Sequence, residues 1–149
     1  MDADPKQEAP QSGLESLRQR IDDWHGSPMA ETLNMRLIAV ADGTATFEGI
    51  PSPRFYTPQL RMHGGYAATL IDSALGCAVQ TRLPAGIGYG TIELKVNYVR
   101  KIVAETGRLL CTGTVIHAGR TMFTAEAKIM DENGKLYAHG SGTFLVYPT

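Results

Sequence analysis

The stretch His63-Gly64-Gly65-Tyr66-Ala67-Ala68-Thr69-Leu70-Ile71-Asp72-Ser73-Ala74-Leu75-Gly76-Cys77-Ala78-Val79-Gln80-Thr81 decides the fold. It is apolar on nearly every face, rich in small residues, and ended by Leu83-Pro84-Ala85-Gly86. A helix apolar all round is one that other elements must bury. Upstream, Leu37–Val40 and Thr44–Ile50 flank Asp42-Gly43, a two-residue hairpin signature. Residues 51–62, with Pro51, Pro53 and Pro58, read as an irregular loop. Downstream the pattern changes to period two: Ile92, Leu94, Val96 and Tyr98 face one side, and Glu93, Lys95 and Asn97 the other. Further strands are predicted near 107–117, 121–131 and 135–146, the last two joined at Asn133-Gly134.

The N-terminal part supplies helix starts. Ser12-Gly13-Leu14-Glu15 has the form of a capping box, with Leu14, Leu17, Ile21 and Trp24 at helical spacing behind it. Ser27-Pro28 marks a second, short helix. Residues 1–12 offer almost nothing to bury and read as a disordered tail, which leaves 13–149 as one domain. An antiparallel sheet wrapped around the 63–81 helix buries it with few other elements, an α+β arrangement.

Composition narrows the function. A 149-residue chain with 43% hydrophobic and 19% charged residues has the make-up of a globular protein. A net charge of -1 gives no basic field for nucleic acid, so an anionic ligand must be met by local Lys and Arg. No segment is apolar over the 18 or so residues of a membrane span, and residues 1–13 lack the apolar core of a signal peptide. Cys77 and Cys111 lie in apolar contexts without CxxC spacing, and a reducing cytoplasm is expected.

Asp72 is the only charged residue between His63 and Arg82. A carboxylate in so apolar a helix is either hydrogen-bonded on a polar stripe with Thr69 and Ser73, or functional. His63-Gly64-Gly65 sits at the helix start, where unpaired N–H groups and the macrodipole favour negative charge. It can serve as an oxyanion site or be only a tight turn. Nine residues, about two and a half turns, separate His63 from Asp72, so on a straight helix they cannot touch. A complete site then needs a second helix, most simply from a second copy. Ala138-His139-Gly140-Ser141-Gly142 falls one residue short of a nucleophile elbow and lies in a strand pattern. Gly86-x-Gly88-x-Gly90 follows a helix instead of a strand and reads as a flexible loop bordering a pocket. Histidines 25, 63, 117 and 139 show no ligand pairing, so no metal or other cofactor is expected.

Together these residues resemble the PaaI-like branch of the hotdog-fold thioesterases. His63 to Gly76 is similar to that family's HGG-x-x-x-x-L-x-D-x-A-x-G pattern, and Thr91 to Arg100 to its third strand. His117-Ala118-Gly119-Arg120-Thr121 and the Gly134 to Phe144 ending also fit; the likeness spans about residues 30–147. The resemblance implies a hotdog sheet around a central helix and hydrolysis of an acyl-CoA. It implies Asp72 as nucleophile or general base, Gly64 as the amide that polarises the thioester carbonyl, and His63 near the leaving thiolate. Thr91 matches a hydroxyl that orients water, and the site lies between subunits of a homodimer or homotetramer. Gly65, Tyr66 and Asn97 fall among the matched substrate-binding positions. One departure is Thr57, which stands where many relatives carry Asn or Gln six residues before the histidine. Its hydroxyl donates one hydrogen bond but lacks the amide fork.

Arg100, Lys101 and Arg120 are the basic residues expected to hold CoA phosphates, while Tyr66, Leu70, residues 84–90 and residues 53–62 shape the acyl site. Two other functions compete. A hotdog hydratase or dehydratase would need Asp paired with a His five residues on, or an H-F-P-G motif; Pro58 stands five before His63, and the motif is missing. A non-catalytic acyl-CoA-binding domain is disfavoured by the retained Asp72.

Overall fold

The computed structural model describes residues 9–24 and 26–149. Helix α1 (Gly13–Asp22) opens on the expected capping box: Ser12 Oγ accepts the Glu15 N–H at 3.3 Å, and Glu15 Oε2 accepts the Ser12 N–H at 3.0 Å. Residues 1–8 of the expected tail lie outside the described residues, whereas Ser12 is fixed by this cap. Helix α2 (Pro28–Thr32) follows Ser27, whose Oγ accepts the Ala30 N–H at 3.2 Å.

Strands β1 (Met35–Ala41) and β2 (Thr44–Gly49) form the hairpin, turning at Gly43 with φ 77°. A glycine carries that left-handed conformation without strain. Helix α3 (Gly64–Gln80) comes next, then β3 (Ile87–Tyr98), β4 (Leu109–Ala118), β5 (Met122–Asp131) and β6 (Leu136–Pro148). The six strands make one antiparallel sheet in the order β1-β2-β4-β5-β6-β3. Its inner face wraps α3, the hotdog arrangement expected. Leu70, Ile71, Ala74, Leu75, Ala78 and Val79 of α3 are buried against Leu109, Cys111, Ile129, Ala138 and Phe144 of the sheet. Close approach needs Gly113 on β4, because any Cβ there would collide with the Ala74 carbonyl.

Three expectations change. First, α3 is not covered all round: Ala68, Thr69, Asp72 and Ser73 are only half-buried. One sheet reaches one side of a helix, and apolarity does not say which chain covers the other. Second, Gly88 and Gly90 belong to β3, paired with Tyr147 and Leu145, and not to a loop. Glycines carry no side chain to reveal alternation. Third, β3 has a bulge between Thr91 and Glu93, so Ile92 leaves the inward set and is 56% exposed. The bulge shifts the parity of the strand: Leu94 and Val96 pack inward after it, while Thr91 reaches α3 before it. Bulges re-aim side chains in this way.

Candidate active site

His63 is the N-cap of α3, with φ -60° and ψ 139°. Its Nδ1 accepts the Gly65 N–H at 2.9 Å, which leaves Nε2 as the protonated nitrogen of the neutral ring. The Tyr66 N–H is taken by the His63 carbonyl at 3.0 Å. Of the first three amides of α3, only that of Gly64 makes no hydrogen bond among the described residues. It sits at the positive end of a 17-residue helix.

That turn borders a cavity of about 570 Å³. His63, Gly64 and Gly65 form one wall, Thr57 and Arg61 the loop side, and Tyr98 to Ile102 the strand side. Arg61, Arg100 and Lys101 are exposed around it and form no ion pair among the described residues. Three unpaired cations make its mouth electropositive. Thr57 lines the cavity, but its Oγ1 already accepts the Gln59 N–H at 3.2 Å in the turn begun at Thr57-Pro58.

Asp72 lies elsewhere. Eight residues of helix, about 12 Å, separate it from Gly64. It is half-buried and faces β3, where Thr91 Oγ1 donates to Asp72 Oδ1 at 2.9 Å. Asp72 thus lies on an open polar stripe with Thr69 and Ser73, one of the two readings its isolation allowed, and a hydroxyl holds one of its oxygens. Thr91 itself is exposed in the single chain.

The remaining sequence-predicted residues divide. Tyr66 is 3% exposed and stacked on Phe55 at 5.5 Å; its hydroxyl has no partner among the described residues, and burial pushes its pKa up. It belongs to the core beneath the turn and is not among the cavity-lining residues. Asn97 pairs with His139 on the outer face of the sheet, away from α3. Arg120 lies in the β4–β5 turn, at the end of the sheet where Gly90, Leu145 and Met122 are in register. Arg100 and Lys101 follow the opposite end of β3. Of the four histidines considered as ligands, His25 lies outside the described residues.

Two residues escaped sequence reasoning. Tyr98 donates its hydroxyl to the Gly64 carbonyl at 2.8 Å and lays its ring on that glycine, bracing the turn. Its place in the alternation suggested only an inward strand residue. Arg61 was hidden in a proline-rich loop, and only its charge two residues before His63 could have marked it.

The family model described as the thioesterase superfamily matches residues 61–138, from the cavity loop through Asp72 and Thr91 into β6. The chain belongs to the thioesterase superfamily. Thioester hydrolysis is the reaction class of that family. An esterase candidate of Halobacterium salinarum is 36% identical over 94 residues, 58% of this chain; the match spans 60% of that relative's length. The 1,4-dihydroxy-2-naphthoyl-CoA hydrolase of Listeria monocytogenes is 27% identical over 72% of this chain and 86% of its own. The PaaI protein from the phenylacetic acid degradation operon of E. coli shares the fold, with a TM-score of 0.78 at 20% identity over 90% of this chain and 95% of its own. Among the described residues no helix is long and apolar enough to cross a membrane, and no cluster of His, Cys, Asp or Glu could hold a metal ion.

Proposed function

We propose that this thioesterase hydrolyses an acyl-CoA to the free acid and CoA, at a site built from two copies of the chain. One observation carries the reading: the free Gly64 N–H beside a basic cavity, and a carboxylate held by Thr91, lie about 12 Å apart on one helix. Each is half of a site. The open stripe of α3 and the unpaired edge of β3, with Ile92, Tyr98 and Val99 exposed, are the surfaces a second copy would cover.

In the two-fold dimer, the CoA phosphates sit on Arg61, Arg100 and Lys101. The thioester carbonyl accepts the Gly64 N–H, whose dipole stabilises the oxyanion as it forms. Asp72 of the partner subunit then attacks the carbonyl carbon or takes a proton from water that does so. The C–S bond breaks, and the thiolate leaves beside the His63 Nε2–H; where Asp72 attacked directly, water then hydrolyses the acyl anhydride to the free acid and restores the carboxylate. Arg120 would arrive with the Asp72 half. Two free, buried thiols fit a cytoplasmic setting.

Release of free thiol from a panel of acyl-CoAs tests the activity, and subunit mixing tests the architecture. Asp72→Asn and Gly64→Pro chains, each inactive alone, should recover about a quarter of wild-type sites when mixed and refolded, as a two-fold dimer requires. No recovery, or an active monomer by light scattering, would reject the shared site.

A further inference from the structure

A second cavity, of about 180 Å³, lies between the N-terminal helices and the hairpin–α3 face. Trp24, Leu37, Phe47 and Cys77 supply its apolar wall, and Arg20 from the last turn of α1 lines it. Its position ties it to the carboxylate. Ser73, which follows Asp72 on α3, forms part of its wall, as does Tyr89, two residues before the Thr91 that bonds Asp72. The Tyr89 ring lies against α3 where Gly76 leaves room; a Cβ there would stand 2.8 Å from the phenol oxygen. Burial raises the pKa of that phenol, Arg20 opposes the rise and Asp72 adds to it, so both charges reach Tyr89.

Among the described residues, Arg20 makes no hydrogen bond or ion pair and no carboxylate lines the cavity. A cation facing apolar walls favours an anion that enters with its own methylenes, and the guanidinium fork matches a carboxylate. Volume sets the length. A cavity of ~150 Å³ accepts benzene, so this one holds a group of about six carbons.

We infer that this cavity is the acyl pocket and that Arg20 selects acyl groups ending in a carboxylate, the mono-CoA thioesters of short dicarboxylic acids. The inference rests on the thioesterase reading and adds a substrate class to it. With the thioester at Asp72, the chain runs past Ser73, and its far carboxylate meets Arg20.

Adipoyl-CoA and hexanoyl-CoA have the same carbon count and differ in that terminal group. Wild-type protein should prefer adipoyl-CoA in kcat/KM by about tenfold or more, the worth of a charged hydrogen bond, and Arg20→Met should abolish the preference. Ala30→Leu, which fills the cavity from α2, should slow both substrates more than it slows acetyl-CoA. A binding readout independent of turnover is at hand, because Trp24 is the only tryptophan and lines the cavity. Monomethyl adipate should shift its emission saturably, and about tenfold more weakly in Arg20→Met. Equal wild-type rates on the two CoA esters, or a ratio unchanged in Arg20→Met, would overturn the inference, as would a Trp24 signal indifferent to Arg20. If the Trp24 titration behaves as expected while no acyl-CoA is hydrolysed, the pocket stands and the thioesterase reading falls.

Discussion

The Gly64 N–H can be deleted by one substitution that asks only the Tyr98 side chain, on the cavity wall, to move. Gly64 is the first residue of α3, and His63 before it has ψ 139°, the extended conformation that a residue preceding proline adopts. Proline is tolerated at a first helical position, where the N–H has no intrahelical partner. Gly64→Pro therefore replaces the N–H with a ring carbon and leaves the helix in place. The only obstacle is Tyr98. A Cβ on Gly64 would stand 3.1 Å from its Cζ and Oη, but that side chain is 58% exposed and can yield. Loss of an oxyanion donor costs about 10²–10³ in kcat, or ~2.7–4 kcal/mol. Gly64→Ala introduces the same Cβ and keeps the N–H, so it should stay within about threefold of wild type and isolates the donor from the contact. Steady-state thiol release on the best acyl-CoA, beside thermal melting, reads both. A folded Gly64→Pro protein as active as Gly64→Ala would refute the oxyanion role.

Asp72→Asn keeps an oxygen to accept the Thr91 hydroxyl, so Tm should hold while kcat falls by about 10²–10⁴; activity within about threefold would reassign Asp72 to structure. Thr57→Val deletes the acceptor of the Gln59 N–H and should cost about 1 kcal/mol of stability by denaturant melting, with kcat/KM nearly unchanged. A tenfold fall in rate at unchanged stability would instead give Thr57 a donor role at the thioester. Arg61→Ala and Lys101→Ala should each raise KM for acyl-CoA more than for the matching acyl-pantetheine, and equal effects would remove them from the phosphate site. Burial lifts the Cys77 thiol to about 11 and pushes Cys111 higher still, so both are protonated at neutral pH. A thiol reagent at pH 8 should miss Cys111 in the native protein and find it in guanidinium, and rapid native labelling of Cys111 would contradict the packing.

The order of elements could be read from local chemistry, because each signal acts within a few residues. Ser12 and Ser27 cap helices through their own next turn, Asp42-Gly43 and Asn133-Gly134 reverse the chain locally, and the apolar run after His63 demanded a surrounding sheet. The open amide at Gly64 was legible for the same reason, since the first N–H of a helix has no partner within the helix. Tertiary structure decided what depends on residues far apart in the chain. The bulge at Ile92 that lets Thr91 reach Asp72 arises from register with β6, which period-two counting along β3 cannot see. Tyr98 reaches Gly64 only because the end of β3 is brought against the start of α3, 34 residues away in sequence. Arg20 meets Tyr89 and Cys77 only through the packing of α1 over the hairpin. Sequence alone set where charge could be stabilised. The fold set which side chains share that charge, because hydrogen bonds and burial act through space.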